Sequence, residues 1–196
     1  MATIALGALG LAGCGGGGGG QAAAPPAPSP FKGTELQPVL AVKGFTLTDQ
    51  DGKPVSLAAQ RGKLVVVTFL YTHCPDVCPL IASNLNQALR ELGARRAGVR
   101  VIAISVDPKG DTAAAVRTYV RQKHLLPQFR YLIGTRGQLR PVWRGWNVEA
   151  VDRSPDLVDH SAYTTLVDKS GKGRVLYGSR VTAAQVVHDL RYLLDR

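Results

Sequence analysis

The sequence contains few cysteines, few acidic residues and no apolar segment long enough to span a membrane. Three cysteines in 196 residues are too few for a disulfide-stapled scaffold, so each needs its own explanation. Aromatic residues make up 6% of the chain and are not interleaved with its arginines, which argues against a nucleic-acid partner. There are 14 Asp and Glu against 24 Lys and Arg. This balance indicates a solvated basic surface, and it would also suit anionic lipid headgroups or an acidic partner.

The first 35 residues are predicted to lie outside the folded domain. The segment Leu11-Ala12-Gly13-Cys14 resembles the lipobox of bacterial lipoproteins, which implies cleavage before Cys14 and lipid attachment to its sulfur. No Lys or Arg precedes it, although export signals usually begin with basic residues. Two interpretations of that departure stay open, a start codon assigned too late or an accidental match. The Gly/Ala/Pro-rich residues that follow cannot form a core and are predicted to be a tether.

We therefore predict a signal segment over residues 1–13, a lipidated tether over 14–35 and a folded domain over 36–196. A lipid and a tether would hold the domain at the membrane on the extracytoplasmic (periplasmic) side of a bacterial cell envelope. At 45% apolar residues, the chain is long enough for one domain with a substantial core.

Strand and helix patterns alternate along the domain. The predicted strands are a hairpin within 45–57 and the segments 64–70, 99–106, 129–133, 160–167 and 174–177; the predicted helices follow Pro79 and cover 113–123, 138–146 and 183–194. Thr112 and Thr182 are expected to cap helices. Residues 148–159 are polar and are predicted to be irregular. The order predicts an α/β fold, a thioredoxin-like mixed sheet flanked by helices with an N-terminal β-hairpin.

The stretch LVVVTFLYTHCPDVCPL, residues 64–80, carries the candidate chemistry. A buried central strand leads into Cys74 and Cys78 at the start of a helix, where the helix dipole lowers thiol pKa values. If both cysteines lie in the first helical turn, they share a face and can form a reversible disulfide or hold one soft metal ion. Structural zinc usually has four protein ligands, so two thiolates and an imidazole suit copper better, as Cu(I) or Cu(II).

Four histidines compete to supply that imidazole. His73 adjoins Cys74 but is better placed to orient the loop, because consecutive residues leaving a strand point to opposite faces. His124 is expected to cap a helix end, and His188 is expected at the surface. His160 follows a long polar segment, the kind of position where loops carry sites. The residues alone leave the third ligand open between His160 and the other three.

Four segments in order, YTHCPDVCP, ISVDPKGDT, IGTR and VDHS, together resemble the SCO/SenC family over residue 45 to the C-terminus. The members of this family are copper-binding proteins with a thioredoxin fold that help to assemble cytochrome c oxidase. The resemblance implies copper ligands at Cys74, Cys78 and His160. It also implies that Asp76, Asp107 and Asp159 lie near the copper, where they would stabilise loops, tune charge and hydrogen-bond to the ligands.

The function implied by the resemblance is that of a copper chaperone rather than an enzyme. It would deliver copper to the copper-A centre of an oxidase subunit by exchange of ligands. The alternative is a thiol–disulfide oxidoreductase that uses a Cys74–Cys78 disulfide, regenerated by a thiol reductant, to reduce the acceptor's cysteines. Thioredoxins have two residues between their cysteines and a proline before the second active-site strand; this chain has three residues and Asp159-His160, which favours metal binding. The close cysteine pair also argues against a peroxiredoxin-like peroxidase.

Overall fold

The computed structural model describes residues 28–154, 157–160 and 162–196. The predicted signal segment and Cys14 lie outside these residues. Within them the chain forms ten strands and four α-helices: β1 (Thr34–Ala41), β2 (Thr46–Asp49), β3 (Pro54–Ser56), β4 (Leu64–Leu70), α1 (Val77–Glu91), β5 (Val99–Ser105), α2 (Ala113–Gln122), β6 (Phe129–Ile133), α3 (Arg136–Gly145), β7 (Ala150–Ser154), β8 (Leu157–His160), β9 (Thr164–Val167), β10 (Lys172–Tyr177) and α4 (Ala183–Leu194).

A mixed sheet of eight strands forms the centre of the fold, in the order β1-β10-β9-β4-β5-β6-β2-β3. Strand β4 pairs in parallel with β5 and antiparallel with β9, and β5 pairs in parallel with β6. All seven residues of β4 are buried. A strand covered on both faces has no polar side to show, which is why its sequence is apolar except for Thr68, whose hydroxyl accepts from the hydroxyl of Thr164 at 3.0 Å. The prediction of a mixed α/β sheet with this strand near its centre is confirmed.

Helices cover the sheet, and α2, α3 and α4 begin at threonines whose hydroxyls accept hydrogen bonds from the first turn. Helices α1 and α4 pack against each other, and Trp146, directly after α3, packs against Phe69 of β4 with ring centroids 6.0 Å apart. The hydroxyl of Thr112 accepts from the N–H of Ala115 at 3.1 Å, and Thr182 forms a capping box with Gln185. Both predicted caps are confirmed. No helix in the part of the chain that the structure describes is long and apolar enough to cross a bilayer.

The predicted hairpin is present, and β2 and β3 pair antiparallel from Thr46 opposite Ser56. The Asp49 carboxylate accepts hydrogen bonds from the N–H groups of Asp51 and Lys53 at 3.0 and 2.9 Å. Gly52, between them, has a φ of +78°, a conformation that glycine adopts without steric cost. The turn chemistry therefore accounts for this part of the fold.

Strand β1 was not predicted, and it begins two residues before the predicted domain start at residue 36. Most of its side chains are exposed, because it is the edge strand beside β10, so its sequence lacks the apolar alternation that would reveal it. Phe31 is buried. The N–H groups of Lys32 and Gly33 donate to the buried carboxylate of Asp189 at 2.7 and 3.0 Å. The packed chain thus extends back into the segment predicted as tether.

The prediction of an irregular segment over residues 148–159 is wrong, since β7 and β8 pair antiparallel as a separate two-stranded sheet. The predicted strand over 160–167 is wrong in its first half. His160 is the last residue of β8, and β9 begins only at Thr164. Residues 150–154 (AVDRS) lack the apolar alternation of a half-buried strand, so only the pairing partner defines β7.

Candidate metal centre

The two cysteines lie where the central strand meets the first helix. Strand β4 ends at Leu70, a short turn follows, and Cys78 is the second residue of α1. Cys74 precedes the helix, and its N–H donates to the carbonyl of Tyr71 at 3.4 Å. The expectation that both cysteines lie in the first helical turn is therefore wrong for Cys74. The turn nevertheless brings the two thiols within hydrogen-bonding reach of each other.

Burial distinguishes the two sulfurs. Cys78 is fully buried, whereas 9% of Cys74 is exposed. Both are free thiols. The Cys78 thiol donates a hydrogen bond to the Cys74 sulfur, which outweighs burial and lowers the pKa of Cys74 to about 6. The same bond, together with burial, raises the pKa of Cys78. The pair therefore loses its first proton more readily than an ordinary thiol, and the hydrogen bond favours the thiolate at Cys74 over the thiolate at Cys78.

His160 is brought to the cysteines by β8, 82 positions after Cys78 in the chain. Its Nε2 lies 3.6 Å from the Cys78 sulfur. The ring of Tyr71 meets the imidazole edge-on, with centroids 5.8 Å apart. The three side chains that the family resemblance implies as ligands therefore converge on one side of the strand-to-helix turn.

The other three histidines have different settings, and of these only His73 belongs to the cysteine turn. His124 follows α2 with a φ of +47°, and its carbonyl accepts hydrogen bonds from the side chains of Asn86 and Arg90. The Nδ1 of His188 lies 2.8 Å from the Asp189 carboxylate on α4. His73 is exposed, with Nδ1 3.1 Å from the hydroxyl of its neighbour Thr72.

The three acidic residues expected near the site have different settings. Asp76 is exposed, and its N–H donates to the Cys74 sulfur, which helps to lower that pKa. Asp107 is buried, and its carboxylate accepts from the N–H groups of Lys109 and Gly110 at 3.1 and 3.0 Å. The backbone of Asp159 pairs in β8; its side chain is not among those that the structure describes.

A fourth acidic residue, Asp111, was missed by the sequence analysis. Its buried carboxylate accepts the N–H and the hydroxyl of Thr72 at 2.8 and 2.7 Å, the hydroxyl of Ser105 at 2.6 Å and that of Tyr131 at 3.1 Å. It therefore ties the turn before Cys74 to the end of β5 and the middle of β6. Burial raises the pKa of Asp111, although these four hydrogen bonds oppose the shift. The sequence signal that could have revealed Asp111 is its position directly before Thr112, the threonine that caps α2.

The loop of Asp111 also packs tightly beside His73. A Cβ added at Gly110 would lie 2.2 Å from Asp107 Oδ2 and 3.2 Å from His73 Nδ1, so only glycine fits there. Ligand-type atoms of His73, Asp107 and Asp111 lie within 4.8 Å of one another. Such a cluster could hold a metal ion, but both oxygens of Asp111 already accept hydrogen bonds. We therefore interpret His73, Asp107 and Asp111 as support for the cysteine turn.

The mixed sheet, the strand-to-helix turn and the dithiol define a thioredoxin-like domain. The model of the SCO1/SenC family matches residues 34–195, so the chain belongs to that family. The mitochondrial SCO2 homolog of Mus musculus is 34% identical over 154 residues, which are 75% of this chain and 60% of that protein. The chain thus spans about three fifths of the length of this relative.

Two solved structures are similar along most of their length. Bradyrhizobium japonicum ScoI with copper bound is 32% identical, with a TM-score of 0.69 over 78% of this chain and 98% of that one. Apo Sco1 of Thermus thermophilus is 34% identical, with a TM-score of 0.71 over 83% and 96%. The predicted family and its thioredoxin-like fold are confirmed.

Proposed function

We propose that this protein is a copper chaperone that binds copper through the sulfurs of Cys74 and Cys78 and through Nε2 of His160. The 3.6 Å approach of His160 Nε2 to the Cys78 sulfur is the observation that carries the proposal. Two sulfurs and an imidazole are soft and borderline donors, a set that suits copper. The copper-bound structure of B. japonicum ScoI supports the choice of metal.

Copper binding would change the protonation of the site. Cys74 is already inclined to be a thiolate, whereas Cys78 must release its proton because metals bind thiolates. An imidazole that binds through Nε2 carries its own proton on Nδ1. The reduced pair is therefore one proton away from a two-thiolate site. A Cys74–Cys78 disulfide would remove both donors, so oxidation should abolish copper binding until a thiol reductant restores the pair.

Delivery would proceed by ligand exchange with the copper-A centre of a cytochrome c oxidase subunit, during assembly of the oxidase. Cys74 is the more exposed sulfur, so incoming thiolates would reach the metal from its side and displace the buried Cys78 later. Membership of a family involved in oxidase copper handling supports this acceptor. No catalytic turnover is required of the protein in this role.

A Cu(I) titration of the reduced protein against a chromophoric competitor tests the ligand set. We expect one copper per chain, and affinity reduced by at least about 100-fold in His160→Ala and in Cys78→Ser, since losing a ligand costs more than losing its supporting hydrogen bonds. His188→Ala, a histidine on α4, is the matched control and should bind normally. Unchanged affinity in both ligand variants would refute the site.

The alternative function is reduction of the acceptor's cysteines. The observation that favours it is the Cys74 thiolate, stabilised by the Cys78 thiol, which is the arrangement of a nucleophile and a resolving thiol. In that reaction Cys74 would attack the acceptor disulfide, Cys78 would release Cys74, and two electrons would pass to the acceptor. Reductase turnover that survives in His160→Ala, without any defect in copper delivery in cells, would favour this alternative.

We also propose that residues 1–13 are a signal segment and that Cys14 carries a lipid, with the residues between Cys14 and Phe31 as the connection to the domain. The lipobox-like segment before Cys14 supports attachment on the extracytoplasmic side of a bacterial membrane. Mass analysis of the protein from membranes tests this: the mature chain should begin at a diacylated Cys14. An unmodified Cys14 in a soluble fraction would refute it.

A further inference from the structure

Lysines and arginines gather at the end of the molecule opposite the cysteines. We call this surface the basic pole and define it by Arg61, Lys63, Arg95, Arg96, Lys169 and Arg196. They come from the start of β4, the turn after α1, the β9–β10 turn and the end of α4.

Contacts between these segments make the basic pole one continuous surface. The ammonium group of Lys63 donates to the carbonyl of Ala97 at 3.3 Å, and that of Lys169 donates to the carbonyl of Leu194 at 3.3 Å. The N–H of Gly62 donates to the carbonyl of Lys169 at 3.0 Å. The start of β4, the turn after α1 and the end of α4 are thereby held side by side.

These hydrogen bonds explain the geometry of the cations but do not compensate their charge. Basic side chains commonly bond to carbonyls at helix ends, and a carbonyl is neutral. Two side-chain carboxylates lie among the cations, and each is ion-paired, Asp195 with Arg95 and Asp168 with Arg174. The other five cations of the basic pole have no carboxylate partner within the described structure. The net charge of +10 for the whole chain is therefore concentrated in part at this end.

The N-terminal part of the chain joins the domain next to the basic pole. The ring of Phe31 packs edge-on against the ring of Tyr192 with centroids 5.2 Å apart. The guanidinium of Arg196 also contacts Tyr192 and lies 3.8 Å from the centroid of its ring. Arg174 lies 5.9 Å from the Phe31 ring. A lipid at Cys14 would therefore bring this end of the domain towards the membrane first.

We propose that the basic pole docks on a membrane surface that contains anionic phospholipids, and that this contact turns the copper site away from the bilayer. The choice of a membrane over an acidic protein rests on the proposed lipid at Cys14. Each cation near such a surface strengthens binding about fivefold. Strand β4 starts beside Lys63 and ends before Tyr71. Its seven residues rise about 3.3 Å each, so the cysteines would stand about 20 Å further from the lipid headgroups than Lys63.

Vesicle binding tests the proposal without the lipid anchor. The full chain carrying Cys14→Ser is mixed with vesicles of phosphatidylcholine, or of phosphatidylcholine and phosphatidylglycerol in equal amounts, and sedimented. The test variant reverses two exposed cations of the basic pole, Arg61→Glu with Arg196→Glu. The matched control reverses two exposed cations of α3, Arg140→Glu with Arg144→Glu, so both variants have the same net charge. Thermal unfolding followed by circular dichroism confirms that both fold.

We expect the protein to bind the phosphatidylglycerol vesicles alone, and salt should weaken this binding. The affinity should fall at least about thirtyfold in the basic-pole variant and much less in the α3 variant. Hydrogen exchange on the vesicles should slow at residues 61–63 and 194–196 but not at residues 71–80. Absence of binding to anionic vesicles, an equal loss in the two variants, or protection of residues 71–80 would overturn the proposal. Binding to polyglutamate but not to vesicles would instead identify an acidic protein as the partner. Copper titration in solution is independent of all these outcomes, so the proposed copper function can stand or fall separately.

Discussion

Removal of the Asp111 carboxylate is the sharpest test of how the fold supports the site. In Asp111→Ala, the hydroxyls of Ser105 and Tyr131 lose their acceptor, and both residues are fully buried. Each buried group left without a partner costs about 1–3 kcal/mol, so we expect a loss of about 2–6 kcal/mol in the free energy of unfolding. That is a large part of the about 5–15 kcal/mol that stabilises a typical domain.

The matched variant is Asp111→Asn, which keeps the shape of the side chain. Its amide oxygen can still accept the N–H of Thr72, which is only a donor, while the hydroxyls of Ser105 and Tyr131 can turn to accept from the amide nitrogen. We therefore expect a loss of no more than about 2 kcal/mol at neutral pH. Urea unfolding of the reduced, copper-free protein measures both changes. Equal stability of Asp111→Ala and the wild type would refute the inference that this carboxylate holds the cysteine turn.

The stability difference between the wild type and Asp111→Asn should depend on pH, because the pKa of Asp111 is raised, mainly by burial. A group whose pKa is higher in the folded than in the unfolded state contributes stability that is fully present below the unfolded value of 3.8 and is lost as the pH rises through the folded value. The wild type should therefore gain stability relative to Asp111→Asn as the pH falls from neutral towards 3.8. A difference that is independent of pH would contradict this expectation.

Three further predictions concern separate contacts. Gly110→Ala should destabilise the protein and weaken copper binding, because the new Cβ would lie 2.2 Å from Asp107 Oδ2, whereas Gly44→Ala, with nothing within 4 Å of its added Cβ, should not; equal unfolding curves for the two would contradict this. Iodoacetamide at neutral pH should alkylate Cys74 before Cys78, because Cys74 has the lower pKa and the more exposed sulfur. Peptide mapping that finds Cys78 modified first would contradict the lowered pKa of Cys74. Asp189→Ala should release residues 31–33 and leave the Tyr177 hydroxyl without its 2.8 Å acceptor, at a cost of about 1–3 kcal/mol; hydrogen exchange at Lys32 and Gly33 that stays as slow as in the wild type would argue against that role.

The predictions that succeeded rest on local patterns. The strand β4 was predicted from a run of seven residues that are apolar except for Thr68, and the burial of all seven is what such a run requires. The caps Thr112 and Thr182 were predicted because a hydroxyl before a helical pattern satisfies N–H groups that the helix leaves unpaired. In both cases the cause lies within a few residues of the signal.

The predictions that failed depend on partners far along the chain. Strand β7 exists only because it pairs with β8, and β1 only because it pairs with β10. Helix α1 begins at Val77, three residues after Cys74. The contacts of the Asp111 carboxylate could not be predicted either, since Thr72 lies 39 positions from it and no periodicity links them.

The family, the layer architecture and the donor atoms that the site can offer were therefore all predictable from the residues, because these follow from local composition and from recognisable segments such as YTHCPDVCP. The tertiary structure was needed to show which sulfur is buried and which has the lowered pKa. It was also needed to show that His160 Nε2 lies 3.6 Å from the Cys78 sulfur, and that Asp111 holds the turn before Cys74. The physical reason is that packing and hydrogen bonding act between atoms that are neighbours in space, whatever their separation along the chain.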